Sequence, residues 1–325
     1  MPKGRTTMFI SSLGSPVFLR FKGLLMALIG AILWGLSGTV AQVLFREEGI
    51  RPGWLVTMRL IFAGTLLLAY GFTRTNGKDV WAIWKSPKDR LPLLVFGFGM
   101  LGVQYTYFAA IEAGNAATAT LLQFLGPVFI TFYLALRFKQ IPGIREFAAL
   151  GLALLGTFFL VTNGSLDRLS ISAAAVFWGI GAAVTAAFYT LYPVELVKKW
   201  GSIVIVGWGM LLGGLCLAVV NPPWQVAGQH FTLYTGFLIG FVIIFGTLIP
   251  FYLVLESLRF ISAAEVGMLN SAEPLAAMIA SVVWLHFSFE LFEAIGALCI
   301  IATVILLTLQ SGKKESPTSH KTFDG

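Results

Sequence analysis

The residue best placed for chemistry in this chain is Glu273, which stands next to Pro274 in the middle of a long apolar stretch, Ser262 to His286. A carboxylate at the centre of a bilayer costs roughly 2.5–3.5 kcal/mol, so it needs a partner, a proton or water. Proline removes a backbone donor, and the carbonyl that it orphans must be satisfied by protein or by a cavity. Both features favour a helix that lines a polar pathway. The alternative is a kinked packing helix whose glutamate is protonated and hydrogen-bonded.

Residue patterns for bond-making chemistry are missing from the sequence. It contains no Walker A loop, no HExxH motif and no GxSxG motif, and no nucleophile is paired with a histidine. The two cysteines, Cys216 and Cys299, lie in apolar runs, and the three histidines are scattered. Neither a disulfide framework nor a metal-ligand spacing follows from them. We therefore predict that the protein is not an enzyme and uses no cofactor or metal.

The composition predicts a membrane protein. Of the 325 residues 57% are hydrophobic and 11% are charged, and the mean hydropathy is +0.85. Soluble domains carry about 25% charged residues, so this chain could not cover its surface in water. We predict an all-α polytopic membrane protein.

Ten stretches are long and apolar enough to cross a bilayer, whose core needs about 20 residues per helix. They fall into two groups of five, residues 23–162 and 171–310. A basic segment, residues 1–22, precedes them, and a polar tail predicted to be disordered, residues 311–325, follows. The ten predicted transmembrane helices are 23–44, 53–72, 91–111, 115–137, 145–162, 171–192, 202–220, 232–255, 262–286 and 291–310.

The basic residues predict the orientation. With ten helices, eighteen Lys and Arg residues in the terminal segments, loops and helix ends fall on one side, and three (Arg46, Arg51 and Arg168) fall on the other. Cytoplasmic loops carry the excess of Lys and Arg, so both termini are predicted to be cytoplasmic. The net charge of +7 is thereby explained as a topology signal, and we expect no nucleic-acid partner.

The two groups of five helices resemble each other. Residues 116–127, AATATLLQFLGP, align with 263–274, AAEVGMLNSAEP. In this alignment Pro127 matches Pro274 and Gln123 matches Asn270. Weaker matches follow in the same order along the other helices. Because each group has an odd number of helices, the second enters the membrane from the opposite side. This predicts two inverted five-helix repeats, the architecture of secondary transporters whose sites lie near the midplane at the repeat interface.

The chain also resembles the EamA-like ten-helix exporters of the drug/metabolite transporter superfamily. The resemblance rests on ILWGLSG (32–38), Arg59, ATLLQFLGPVF (119–129), GLALLGTFFLV (151–161) and LNSAEPLAAM (269–278). It implies a bacterial plasma (inner) membrane protein that exports, or facilitates the passage of, amino acids and other small metabolites. It further implies a central cavity formed by the first, third, fourth, sixth, eighth and ninth helices.

The candidate site combines these features. Asn270 lies one turn before Glu273 on nearly the same helix face, so the two could jointly bind a substrate amine or a proton. Paired prolines suggest bent helices around one cavity. The predicted substrate-binding residues are Glu273, Asn270, Gln123, Trp34, Gln104, Tyr107 and Tyr189, and the predicted kinks lie at Pro127, Pro274 and Pro250.

Two other ionisable residues lie within the spans. We expect Arg59, near the external end of the second helix, to snorkel to the interface or to pair with a neighbouring backbone group. The alternative is that it faces the cavity and binds an anionic substrate group. Glu265 is expected to be solvated, or to pair with Arg259.

The sequence as a whole predicts a secondary transporter of small metabolites such as amino acids, working by alternating access in the lipid bilayer, with protons as a further partner. The alternatives are an uncoupled facilitator, an antiporter of phosphorylated or nucleotide-linked sugars and, as the least favoured, a membrane enzyme or sensor. The motifs Gly209-x-x-x-Gly213 and Gly236-x-x-x-Gly240 let helices approach closely. They leave both a monomer and a homodimer open.

Overall fold

The computed structural model describes residues 16–75, 78–139, 143–165, 170–226 and 228–314, and within these ranges the chain is helical with no strand. A short 3-10 turn, Ile83–Lys85, follows α3, and a π-helical segment, Ile244–Leu248, joins α11 to α12. The α-helices are α1 Pro16–Arg46, α2 Pro52–Thr75, α3 Lys78–Ala82, α4 Pro87–Ala113, α5 Ala116–Gln123, α6 Gly126–Phe138, α7 Ile144–Thr162, α8 Ala173–Leu191, α9 Val194–Trp200, α10 Ser202–Ala218, α11 Leu233–Ile243, α12 Ile249–Ser257, α13 Ala263–Asn270, α14 Ala272–Leu285 and α15 Leu291–Lys314.

The helices confirm an all-α polytopic membrane protein. Seven helical stretches of the described chain are long and apolar enough to cross a membrane. Three shorter apolar helices, Glu146–Thr162, Ser202–Ala218 and Leu291–Leu307, lie at the positions of the remaining predicted spans. The predicted N-terminal segment, 1–22, and the predicted tail, 311–325, both overlap helices in the structure, because helical structure continues past the apolar core. The first helix begins at Pro16, and the last runs to Lys314, beyond the predicted start of the tail. Residues 1–15 and 315–325 lie outside the described residues.

Three helical spans are interrupted, each just before a proline. α5 ends at Gln123, and α6 carries Pro127 in its first turn. α13 ends at Asn270, and Pro274 lies in the first turn of α14. The π-helical segment precedes Pro250. Since proline has no N–H to donate and its ring clashes with the preceding turn, these positions are where a continuous helix is hardest to maintain.

Helix boundaries in the first group recur in the second group at a constant distance along the sequence. The broken pair α5 and α6, followed by α7, is matched by the broken pair α13 and α14, followed by α15. The same offset separates the N-caps Asn115 and Ser262, the left-handed C-caps Lys139 and His286, and the helix starts Ile144 and Leu291.

The helix packing pairs the two groups of helices. α2 packs along α10, and α7 packs along α15. α4 packs on α8, and in the same way α11 and α12 pack on α1. The broken helices behave alike, because α5 and α6 contact α8 whereas α13 and α14 contact α1. The largest buried cluster, which includes Leu60, Phe96, Phe108 and Val206, lies among α1, α2, α4 and α10.

α1 and α8 carry a further sequence match between the two groups of helices, beyond those predicted above. The segment AILWGLSGTV (31–40) aligns with AVFWGIGAAV (175–184). The two tryptophans make corresponding contacts, since Trp34 packs edge-on against Phe251 of α12 and Trp178 packs edge-on against Tyr105 of α4.

Glycines allow the closest helix contacts. A Cβ on Gly35 would lie 2.3 Å from the carbonyl oxygen of Glu273, so α1 and α14 can approach only because this residue has no side chain. The prediction of close packing at Gly209 and Gly213 is confirmed, because a Cβ there would lie 2.5 Å from Phe96 and 2.8 Å from the Gly97 oxygen. It is wrong within the described chain for Gly236 and Gly240, which have no atom within 4 Å of a Cβ, since both face away from the bundle.

Candidate substrate cavity

A cavity of about 430 Å³ lies at the centre of the bundle, between the two groups of helices. This volume is within the usual range for small-molecule sites. It is lined by Trp34, Ser37, Arg59, Met100, Val103, Gln104, Tyr107, Gln123, Phe124, Gly126, Pro127, Ile130, Ala186, Tyr189, Thr190, Gly246, Phe251, Val254, Leu255, Gly267, Asn270, Glu273 and Val304.

All seven predicted substrate-binding residues line this one cavity. They come from α1, α4, α5, α8, α13 and α14. Their role in binding stays a prediction, but the fold brings them together. Of the three predicted kink prolines, Pro127 also lines the cavity, whereas Pro274 and Pro250 are buried outside its lining.

The polar groups of the cavity are incompletely paired. The Oδ1 atom of Asn270 and the Oγ atom of Ser37 are buried, and neither has a hydrogen-bond partner among the described residues. Glu273 lies half-buried in the same wall, and its carboxylate accepts no hydrogen bond from any described donor. Buried polar groups are nearly always paired, so these acceptors are suited to a bound ligand or to water.

The structure corrects the expectation for Arg59, whose side chain lines the cavity and is 4% exposed. Its Nε donates to the Oγ1 of Thr247 over 2.9 Å, and its Nη2 donates to the Gly246 oxygen over 3.4 Å. Snorkelling is therefore wrong, while pairing with a backbone group is present. An arginine within an apolar span almost always faces the protein interior, and that rule outweighs its position near the end of the helix. The cavity is also lined by Val304 of α15. Two helices outside the expected set, α2 and α15, therefore contribute to it.

For Glu265, the predicted pairing with Arg259 is wrong, whereas the side chain is partly exposed to solvent. Its carboxylate forms an ion pair of 2.7 Å with Arg20, while Arg259 pairs with Glu256. The Oε2 atom of Glu265 also accepts from the backbone N–H of Ser262 over 2.9 Å, which completes a capping box at the start of α13. Glu265 therefore fixes a helix end and lies outside the cavity.

The cavity reaches one end of the bundle. Thr190 is one residue from the end of α8, Leu255 is two from the end of α12, and Gly267 lies in the second turn of α13. We call this end the basic end: Arg20 pairs there with Glu265 at the start of α13, Lys198 and Lys199 lie in α9 just after α8, and Arg259 follows the end of α12.

Packed polar residues fill the bundle beyond the cavity. The hydroxyl groups of Tyr107 and Thr120 are hydrogen-bonded over 2.8 Å, and Gln42 accepts from the backbone N–H of Ala116 over 2.7 Å. Arg46 donates to the oxygen of Gly114. Thr118 and Thr120, which the sequence places on the same helix as Gln123, are 3% and 0% exposed and face this packing. The cavity is therefore closed at the end opposite the basic end.

A helical membrane bundle around one cavity of mixed polarity, with broken helices in its wall, defines a multi-pass membrane transporter. The EamA-like transporter family matches residues 21–162 and 173–309. The chain belongs to this family, and the resemblance read from its motifs is confirmed.

Related proteins agree with this assignment. The chain is 40% identical to the inner membrane transporter YicL of Salmonella typhimurium over 90% of this chain and 97% of that protein. It is 27% identical to the threonine/homoserine exporter RhtA of Escherichia coli K12 over 93% of this chain and 95% of that protein. One solved crystal structure matches with a TM-score of 0.60 at 18% identity, over 90% of this chain and 99% of the other. At that identity the likeness concerns the fold alone.

Proposed function

We propose that this protein is a secondary transporter of ten transmembrane helices in two inverted repeats, which exports small metabolites such as amino acids across the plasma membrane. One observation carries the proposal: residues singled out as binding candidates from separate helices line a single cavity between the two groups of helices. The similarity to an exporter of threonine and homoserine supports the substrate class.

Alternating access accounts for the repeated architecture. Discontinuous helices in corresponding positions are the best pointer to a transporter site, and the breaks after Gln123 and Asn270 are such a pair. One group of helices would rock against the other and open the cavity to each side in turn. With both termini in the cytoplasm, the basic end is cytoplasmic and the structure represents the state that is open inward.

Proton exchange at Glu273 would couple transport to the proton gradient. The carboxylate lies in the cavity wall without a described hydrogen-bond donor, so it can take up a proton in one state and a substrate ammonium group in the other. A facilitator would need no such group, and it is the chief alternative.

Reconstitution in proteoliposomes tests coupling. We expect an imposed pH gradient to drive amino-acid uptake in the wild type but not in Glu273→Gln. The matched control Glu195→Gln changes an exposed carboxylate that pairs with Lys198, and should behave as the wild type. Transport that ignores the gradient, and is unchanged in Glu273→Gln, would refute coupling and favour the facilitator.

A growth screen identifies the substrate. Cells with and without the protein are compared for resistance to amino acids and their toxic analogues. Export predicts resistance to a subset of compounds, whereas sensitisation would mean uptake.

A sugar-phosphate antiporter and a membrane enzyme have less support than a facilitator. The antiporter needs several cations around the phosphate, and among the described lining residues Arg59 is the only one. The family and the named relatives are transporters, which favours transport over catalysis.

A further inference from the structure

Arg59 is the only buried basic residue among the side chains that the structure describes. A cation in the membrane interior is costly, and such residues mark substrate or ion pathways. When MRLIFAG (58–64) is aligned with WGMLLGG (208–214) of the second repeat, Gly209 stands opposite Arg59. The repeat architecture therefore does not require an arginine here.

The π-helical segment holds the guanidinium in place. The hydroxyl of Thr247 donates to the Val242 oxygen, five residues earlier, over 2.9 Å, so its lone pair accepts from Nε of Arg59. The ring of Phe108 lies 4.6 Å from the guanidinium carbon and packs against its face. π-Helical turns occur frequently at functional sites, and this one fixes the direction of the arginine.

Most of the donors of Arg59 remain for a ligand. A guanidinium has five N–H donors in a planar fork that matches a carboxylate. The described hydrogen bonds use two of them, on Nε and Nη2. Since the side chain lines the cavity, the others are available to a bound anion.

The same cavity also offers acceptors. Asn270 presents a buried Oδ1 without a described partner, and Glu273 presents a carboxylate, which only accepts hydrogen bonds when ionised. No ion pair within 4.0 Å joins Arg59 to Glu273 in the described chain. The cavity therefore has a cationic pole on α2 and an acceptor pole on α13 and α14.

We infer that Arg59 binds the carboxylate of the transported molecule while Glu273 and Asn270 bind its ammonium group, so that the site selects small zwitterionic amino acids. The inference rests on the proposed transport of small metabolites and names the substrate class. A phosphate ester, with a charge of about −1.5 to −2, would meet one guanidinium and be repelled by Glu273. An amine without a carboxylate would leave the buried donors of Arg59 unpaired.

Matched ligands test the inference. Each of the twenty L-amino acids is compared with its α-carboxamide, which has nearly the same shape but no negative charge at the α-carboxyl position. Binding is measured as the ligand-induced thermal shift of the purified full chain in detergent, and transport is measured separately as counterflow in proteoliposomes. We expect the wild type to bind its preferred amino acids at least about tenfold more tightly than their carboxamides, because a site built for a polar group rejects the analogue that lacks it.

Substitutions assign this preference to Arg59. In Arg59→Gln the amino acid should bind at least about tenfold more weakly while binding of the carboxamide is unchanged, and Arg59→Lys should restore part of the preference. The control Arg259→Gln, at an exposed arginine outside the cavity, should keep it in full.

Two results would overturn the inference: a wild type that binds amino acids and carboxamides equally or binds neither, and a folded Arg59→Gln variant that weakens both ligands alike. The latter would make Arg59 a structural counter-charge. Selective binding without counterflow would instead refute the proposed transport and leave the assignment of Arg59 supported.

Discussion

The Nε of Arg59 donates to the Oγ1 of Thr247 over 2.9 Å and joins α2, in the first group of helices, to the π-helical segment in the second group. Both side chains are buried, at 4% and 0% exposure. This bond connects the two groups of helices at the cavity wall, so its loss should affect both stability and substrate binding.

We predict that Thr247→Val, which keeps the shape and removes the hydroxyl, lowers the free energy of unfolding by about 1 kcal/mol. It should also weaken amino-acid binding, because the guanidinium loses the acceptor that aims it. Scanning fluorimetry and ligand-induced thermal shifts measure the two effects. Thr247→Ser keeps the hydroxyl and should retain binding. Equal amino-acid affinity in Thr247→Val and the wild type would show that this bond does not position Arg59.

The packing of α1 against α14 gives a second prediction. A Cβ on Gly35 would lie 2.3 Å from the backbone oxygen of Glu273, which cannot rotate away. Gly35→Ala should therefore separate the helices and cost about 1–3 kcal/mol, as overpacking does. Transport should fall as well, since the displaced backbone carries the acceptor pole.

Gly236→Ala is the matched control, because a Cβ there meets no described atom within 4 Å. Its midpoint of thermal unfolding should equal or exceed that of the wild type. A Gly35→Ala protein as stable as Gly236→Ala would contradict the close approach of the two helices.

The corresponding N-caps give a third prediction. The Oδ1 of Asn115 accepts from the N–H of Thr118 over 2.8 Å, and the Oγ of Ser262 accepts from the N–H of Glu265 over 3.3 Å. Substitution of an N-cap by alanine costs about 0.5–2 kcal/mol, and we expect a loss in this range for Asn115→Ala and for Ser262→Ala. Asn115→Asp, which keeps the acceptor, should lose less than Asn115→Ala. Wild-type stability in both alanine variants would argue against capping at these positions.

Much of the cavity could be predicted from sequence, because the relevant signals are local. Proline interrupts a helix wherever it stands, and a carboxylate in an apolar span must face something polar, so Pro127 and Glu273 were identifiable. The repeat then placed Gln123 and Asn270 at matching depths. These inferences require only the membrane and the helix period.

The remainder depends on which neighbour each helix face meets. Thr120 and Gln123 lie within one turn, yet Thr120 bonds Tyr107 in the closed packing and Gln123 faces the cavity. Pro250 predicts a kink next to Thr247, but nothing in the sequence indicates a π-helical turn there or its contact with Arg59. Proximity in sequence suggests Arg259 as the one partner for Glu265 if it is not solvated, whereas its partner Arg20 lies on another helix.

The direction in which the cavity opens gives a fourth prediction. Thr190 is exposed at the basic end of the cavity, whereas Thr118 is 3% exposed in the closed packing. With Cys216 and Cys299 first replaced by alanine, Thr190→Cys should react with a membrane-impermeant maleimide in inside-out vesicles and be protected by a transported amino acid, because the substrate would occupy the same space. Thr118→Cys is the buried control. While the cavity is open inward, it should not react with the maleimide in inside-out vesicles or in intact cells. Labelling of Thr190→Cys only in intact cells would place the basic end outside and reverse the proposed orientation. Labelling that a transported amino acid does not reduce would show that the opening is separate from the binding site.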